Sequence, residues 1–183
     1  GVWYRDFSQV PDEEVVRLAS ELISIPSFTT EETPCAEWLA SYLDGQGLAV
    51  TLQEIEPGRK QTIARLRGTG GGRSIMLNGH IDIDPLASGW SRDPFSPWIA
   101  DGKLFGHGVY NMKGGVTACI MAALALKRAG APLRGDVVVA CVADPPAVER
   151  LVFAEDGLLG AARPGFRYLE CSTVSPETTR RVQ

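Results

Sequence analysis

The sequence predicts an α/β protein with a three-layer architecture, and two observations carry that expectation. Helical periodicities alternate with short strand-like runs along the chain, which favours a sheet flanked by helices over a bundle or a sandwich. One run, residues 136–142, is apolar and β-branched, the pattern of a strand buried on both faces. Length and composition agree with a single ordinary domain that has a real core: 183 residues, of which 44% are apolar and 22% charged.

Each element follows from a local signal. Pro11 followed by Asp12, Glu13 and Glu14 starts a helix with acids at the positive end of its dipole. Val15, Leu18 and Leu22, flanked by Val16 and Ile23, form its apolar face, and Pro26 ends it. Thr30 or Thr33 caps a second helix with Pro34 in its first turn; Cys35, Trp38, Leu39, Tyr42 and Leu43 face the core, and Gly45 and Gly47 stop it. Leu48, Val50 and Leu52 alternate as a strand, and residues 62–67 make a second. The run Gly68-Thr69-Gly70-Gly71-Gly72 reads as a turn. It lacks the helix N-terminus of a phosphate loop, because residues 74–77 read as a buried strand. Trp98–Ala100 and Lys103–Phe105 flank Asp101-Gly102 as a β-hairpin. Residues 112–129 form a long helix with Val116, Ile120, Ala123, Leu124 and Lys127 at helical spacing and Gly130 beyond its end. After the strand at 136–142 the character changes. Pro145-Pro146 breaks the pattern, and only short apolar clusters and a polar stretch follow. The expected division is a domain over 1–144 and a divergent tail over 145–183.

The bulk properties exclude several functions. A net charge of −4 gives no expectation of a nucleic-acid partner or an acidic membrane surface. No apolar run is read as reaching the roughly 20 residues that span a bilayer. Residues 1–10 lack the basic-then-apolar pattern of a secretory signal. Cys35, Cys119, Cys141 and Cys171 form no CxxC pair; Cys35, Cys119 and Cys141 sit within apolar patterns and read as small buried side chains, which places the chain in a reducing cytoplasm.

The chemistry centres on His80-Ile81-Asp82. Residues two apart in an extended chain point to the same side, so His80 and Asp82 converge. A neutral imidazole is a good zinc ligand, and a nearby carboxylate fixes its tautomer and raises its basicity. Around this pair the sequence reads Leu77-Asn78-Gly79-His80-Ile81-Asp82-Ile83-Asp84-Pro85, then Gly89-Trp90 and Asp93-Pro94-Phe95. It continues with Asp101 to Gly108 and Asn111-Met112-Lys113-Gly114-Gly115. This ordered series, with the upstream Leu22-Ile23-Ser24-Ile25-Pro26-Ser27, resembles the N-terminal part of the M20 metallopeptidase and deacylase family over about residues 11 to 144.

The resemblance implies an incomplete three-layer α/β/α zinc-hydrolase catalytic domain. It implies zinc as cofactor, with cobalt as a substitute, and two metals in a cleft at the carboxyl ends of the strands. His80 would be a ligand to one metal and Asp82 the catalytic partner that orients it. Asn111 stands where the family usually has an aspartate bridging both metals, and a Glu-Glu pair after a strand supplies the general base and a further ligand.

The chain departs from that pattern in four places. Asn111 is an amide, uncharged and a poor bridge between two dications, which at about 3.5 Å repel by roughly 19 kcal/mol even at an effective dielectric of 20. The simpler reading of Asn111 is a cap for the helix that follows. His107 lies where the family commonly has arginine and reads as a packing or loop residue. The expected Glu-Glu falls at Pro145 and Pro146, leaving Glu149 as a solvated surface charge. The family-type dimerisation domain and the late His ligand are missing, which points to truncation, frameshift or a splice junction after Asp144.

The expectation is therefore a metal-dependent hydrolase of amide or peptide bonds in N-acyl amino acids or small peptides, with weak zinc binding and little turnover in this form. Its partners are a small-molecule or peptide substrate, with no nucleic acid and no membrane. The alternative is a degenerate, non-catalytic α/β module with a binding or scaffold role.

Overall fold

The computed structural model describes residues 10–142 continuously and, beyond them, residues 149–150, 152–154, 160, 177 and 180–181. Within residues 10–142, helices α1 (Asp12–Ile23), α2 (Thr33–Gly45) and α3 (Gly114–Arg128) accompany six strands. These are β1 (Ala49–Glu56), β2 (Arg59–Leu66), β3 (Ile75–His80), β4 (Trp98–Ala100), β5 (Lys103–Phe105) and β6 (Val137–Val142). The main sheet runs β1-β2-β6-β3, so the last strand in sequence is inserted between the second and the third. β1–β2 and β2–β6 are antiparallel, while β3–β6 is parallel in the register Ile75↔Val137 to His80↔Val142.

The period-2 alternation of strand side chains divides the core in two. Val137, Val139 and Cys141 of β6 join Leu18, Leu22, Cys35, Leu39, Leu43, Ile120 and Leu124 from the three helices on one face. Met76, Val138, Ala140 and Val142 face the other way, where Val152 is buried against them. Every residue of β6 is buried. The mixed α/β architecture expected from the sequence is present. Among the described residues its helices fill one face, and the segment carrying Val152 meets the other.

Local chemistry sets the element ends. α1 stops at Ile23, three residues before Pro26. α2 ends at Gly45, with Gly47 in the left-handed region at φ 73° just past it. Neither threonine caps α2. Glu32 occupies the cap position without a side-chain cap, and the Thr33 hydroxyl donates instead to the Gly58 carbonyl at 2.7 Å. Asp101 and Gly102 both have positive φ, 50° and 69°, the geometry of a two-residue hairpin turn.

The glycine-rich turn at 68–72 is explained by close backbone approach. A Cβ on Gly68 or Gly72 would collide with the backbone of Arg134 and Gly135. The amides of Thr69, Gly70 and Gly72 donate to the carbonyls of Leu133 and Arg134, so they are already used and form no anion cradle. The stretch Val109–Arg128 has the length and composition to cross a membrane, contrary to the reading that no run approaches that size. Its backbone breaks at Asn111 and Met112, and α3 packs on the sheet through Val116, Ile120, Ala123 and Leu124 as a core helix.

α1 and α3 are also tied at the surface. Arg128 forms a two-pronged ion pair with Glu14, at 2.6 and 2.7 Å. That bond, above all, holds the Glu14 carboxyl below its ordinary value of 4.5. A depressed carboxyl stabilises the fold above its unfolded pKa and loses that contribution as pH falls through its folded pKa. Glu14→Gln should therefore lower stability by up to about 1 kcal/mol near neutral pH. In urea titrations the gap between variant and parent should close as pH falls below about 4.5.

Candidate metal centre

β3 delivers the site. Its parallel pairing with β6 carries the chain straight to His80, opposite Val142, and the Ile81 amide still donates to the Val142 carbonyl at 2.9 Å. Gly79 packs closely just before His80: a Cβ there would stand 3.0 Å from Val116 Cγ2 and 3.1 Å from Met112 Cε, so those side chains would have to shift. The chain then leaves the sheet and runs beside residues 27–28. The Ser27 hydroxyl donates to the Ile81 carbonyl at 2.6 Å, the Ile83 amide donates to the Ser27 carbonyl at 2.9 Å, and Phe28 pairs with Ile83 in a parallel bridge.

His80 and Asp82 converge as their spacing predicts. His80 Nδ1 lies 2.9 Å from Asp82 Oδ1 and 3.1 Å from the Asp82 carbonyl. Their side chains are 14% and 19% exposed, so the pair is largely sheltered but open on one side. The second carboxylate oxygen of Asp82 accepts from the Thr29 hydroxyl at 3.0 Å. The Asp82 hydrogen bond is the main reason His80 is raised above its usual 6.5, with partial burial opposing it.

The other ring nitrogen faces Asn111. His80 Nε2 is 3.0 Å from Asn111 Oδ1. With Nδ1–H donating to Asp82, the neutral ring presents a lone pair to an amide oxygen that also carries lone pairs. Two acceptors that close repel unless a proton or a cation sits between them. The raised His80 favours a proton on Nε2 that donates to this oxygen, and a cation bound by the two atoms would take that proton's place, which is the chemical fit between these residues and a metal.

The helix predicted to begin at Met112 begins at Gly114 instead. Asn111 (φ −129°, ψ 92°) and Met112 (φ −136°, ψ 38°) are non-helical, and the peptide bond between them is cis. Lys113, not Asn111, holds the cap position of α3. The capping role expected for Asn111 is thus replaced by one in which its side chain reaches back to His80. A wide turn, closed by the Lys113 amide donating to the Gly108 carbonyl at 2.9 Å, makes this possible. Gly108 has φ 80° and lies where a Cβ would come within 2.5 Å of Ile83 Cγ2, so glycine is needed there.

Sequence reasoning missed Lys113 as a structural residue. Its side chain is fully buried, and its ammonium donates to the carbonyls of Leu22 at 2.8 Å and Ile25 at 2.6 Å, at the end of α1. Burial pushes this lysine below its ordinary pKa. Thr29 was missed as well, since a threonine in a polar segment carries no motif.

His107 takes the packing role expected of it. Its Nε2 lies 2.8 Å from the Asp84 carbonyl, and its ring contacts Phe28, Trp90 and Phe95. Glu149 pairs with Arg181 at 2.9 Å, a surface ion pair in which both side chains stay more than a third exposed. The Pro145-Pro146 step lies outside the described residues. Among the described residues no third His, Cys, Asp or Glu joins His80 and Asp82 in a metal-binding group.

Comparison with known proteins fits this geometry. Peptidase family M20/M25/M40 matches residues 76–144, from β3 through Asn111 and α3 to just past β6. Succinyl-diaminopimelate desuccinylase of Methylobacterium radiotolerans is 34% identical over 176 residues, which cover 93% of this chain and 44% of that protein. A Bacillus subtilis N-formyl-4-amino-5-aminomethyl-2-methylpyrimidine deformylase is 32% identical over 139 residues, 71% of this chain and 32% of that one. The crystal structure of human carnosine dipeptidase 1 superposes with a TM-score of 0.68 at 25% identity, covering 78% of this chain and 35% of the other. The chain therefore spans less than half the length of these relatives.

Lys113 gives this region a direct test. Lys113→Ala should destabilise by about 2–4 kcal/mol, combining a core void with two carbonyls that lose their donor. Lys113→Met keeps most of the packing and should cost less. Urea unfolding of both variants measures the difference: the loss in Lys113→Met reports the missing donor, and equal losses in the two would show that the packing of the side chain contributes nothing.

Proposed function

This chain belongs to peptidase family M20/M25/M40, as an N-terminal part of its catalytic domain, and from that premise we propose that it supplies one ligand arm of a metal-dependent amide hydrolase. The substrates we assign are N-acyl amino acids or small peptides; the names of the desuccinylase, the deformylase and the dipeptidase have cleavage of an amide bond in common. The observation that carries this reading is the convergence of His80 Nε2 and Asn111 Oδ1 at 3.0 Å, with Asp82 behind the ring.

Zinc is the metal we assign, with cobalt as a substitute; when bound, it polarises an amide carbonyl and lowers the pKa of an attacking water. His80 and Asn111 would hold it. Asp82 fixes the His80 tautomer and, as an anion, makes the ring a stronger donor. These residues fit one ion and not two. The amide of Asn111 contributes no negative charge to offset a second dication, and a catalytic zinc usually takes three protein ligands where the described residues offer two.

That shortfall favours a second reading, a non-catalytic α/β module that retains the fold and has lost the reaction. Pro145 and Pro146, standing where a carboxylate pair is expected, support it. Under either reading we place the protein in the cytoplasm, because Cys35 and Cys141 are buried free thiols in the core. Neither reading calls for nucleic acid or a membrane as partner.

Calorimetric titration with zinc decides between the two readings. Weak binding that disappears in His80→Ala supports the ligand arm, and an isotherm unchanged by that substitution rejects it. Asn111→Asp should tighten binding by at least about tenfold, because it returns a charged ligand to the site. Assays with N-acetyl amino acids should show little turnover in the parent chain, and robust turnover lost in His80→Ala would refute the expectation of inactivity.

A further inference from the structure

Asp82 is held from two sides, and the second side has no role in the reading above. Its Oδ1 lies 2.9 Å from His80 Nδ1 and its Oδ2 accepts from the Thr29 hydroxyl at 3.0 Å. A carboxylate on a short side chain turns easily about its last bond, because that torsion is broad and nearly two-fold. One partner leaves the plane free, whereas two partners on opposite oxygens fix it.

The consequence for His80 is specific, because Nδ1 has a choice of acceptors. The Asp82 backbone carbonyl is 3.1 Å away and the carboxylate 2.9 Å. Either acceptor keeps the proton on Nδ1. Only the carboxylate also lends negative charge to the ring and strengthens Nε2 as a donor to a cation. Whatever keeps the carboxylate turned toward the ring therefore sets the quality of the ligand without touching it.

Thr29 is suited to that task because its own backbone is pinned on both sides. Upstream, Ser27 is buried and bonded through its hydroxyl to Ile81 and through its carbonyl to Ile83. Phe28 bridges to Ile83, and its ring packs edge-on against Phe95 at 5.9 Å. Downstream, the Thr30 amide donates to Glu32 Oε1 at 2.8 Å, and the Glu32 side chain is itself buried and paired with Arg59 at 2.8 Å. Thr30 has φ 80°, so the chain turns sharply just after Thr29 and leaves its side chain beside Asp82. An exposed hydroxyl on a loose loop would be a weak constraint. This one stands on a segment tied to the same strand exit that carries Asp82.

We propose that Thr29 is a positioning residue for the metal arm: its hydroxyl holds the Asp82 carboxylate against His80 Nδ1 and so strengthens Nε2 as a ligand. The metal half of this statement rests on the reading of His80 as a ligand; the orienting half does not.

The test uses the full chain without metal. In proton–nitrogen NMR of the 15N-labelled protein, the His80 Nδ1 proton should resonate far downfield, as expected for a charge-assisted bond to a carboxylate. Asp82→Asn sets the reference position with that bond removed. Thr29→Val, nearly isosteric at an exposed site, should move the resonance upfield toward the reference, and Thr29→Ser should restore it. A Thr29→Val resonance that overlays the parent, or a Thr29→Ser that fails to restore it, overturns the proposal. An unchanged thermal midpoint in Thr29→Val separates this effect from general unfolding. A parallel zinc titration should show binding about tenfold weaker in Thr29→Val and recovered in Thr29→Ser, the size typical of losing a partner behind a ligand. If the resonance moves while the parent chain binds no zinc, Thr29 still positions Asp82 and the ligand reading is the part that fails.

Discussion

The fold around the site depends on one buried cation. The Lys113 ammonium is taken out of water and bound to two carbonyls at the end of α1. Burying a lysine is unfavourable, and the negative end of a helix dipole is among the few environments that offset the desolvation. α1 ends with no basic residue of its own in its last turn, so Lys113 supplies from a distance the charge that helix lacks. In the same residue the backbone closes the turn from Gly108 and caps α3. One side chain therefore fixes the end of α1, the start of α3 and, two residues upstream, the direction of Asn111.

Much of this fold was legible because local rules and tertiary structure agree. Acids after Pro11, glycines after residue 44 and the Asp101-Gly102 pair each mark an element end that the structure keeps. His80 and Asp82 were legible because a period of two places alternate side chains on one side wherever the chain is extended. The start of α3 was not, because apolar periodicity continues through Met112 while the backbone there is set by Lys113 reaching into the core. Asn111 reads as a helix cap by propensity, and only the wide turn redirects it. The contacts of Thr29 were invisible for a different reason: they join segments about fifty residues apart, and nothing in either segment names the other.

Asn111 shows how one atom changes the electrostatics of an otherwise preserved arrangement. An aspartate there would place two anions, 82 and 111, on opposite sides of one imidazole. The amide leaves the geometry nearly intact and removes one charge. The site keeps its shape while its attraction for a doubly charged ion falls, and shape and charge come apart cleanly at this position. Conversely, the neutral amide spares the site an uncompensated carboxylate.

The strand order carries a consequence for the birth of the molecule. β6 fills the gap between β2 and β3, so β3 and its terminal His80 have no sheet partner until the chain has been made as far as Val142. α2 and the β1–β2 hairpin involve near neighbours and are free to assemble during synthesis, whereas the ligand strand must wait for a segment some sixty residues later. On the ribosome, the site forms only once residue 142 has emerged, and a nascent chain stalled before residue 137 leaves β2 and β3 each without β6 at its edge. The residues that bear the chemistry are thus the ones most dependent on the completion of the sheet.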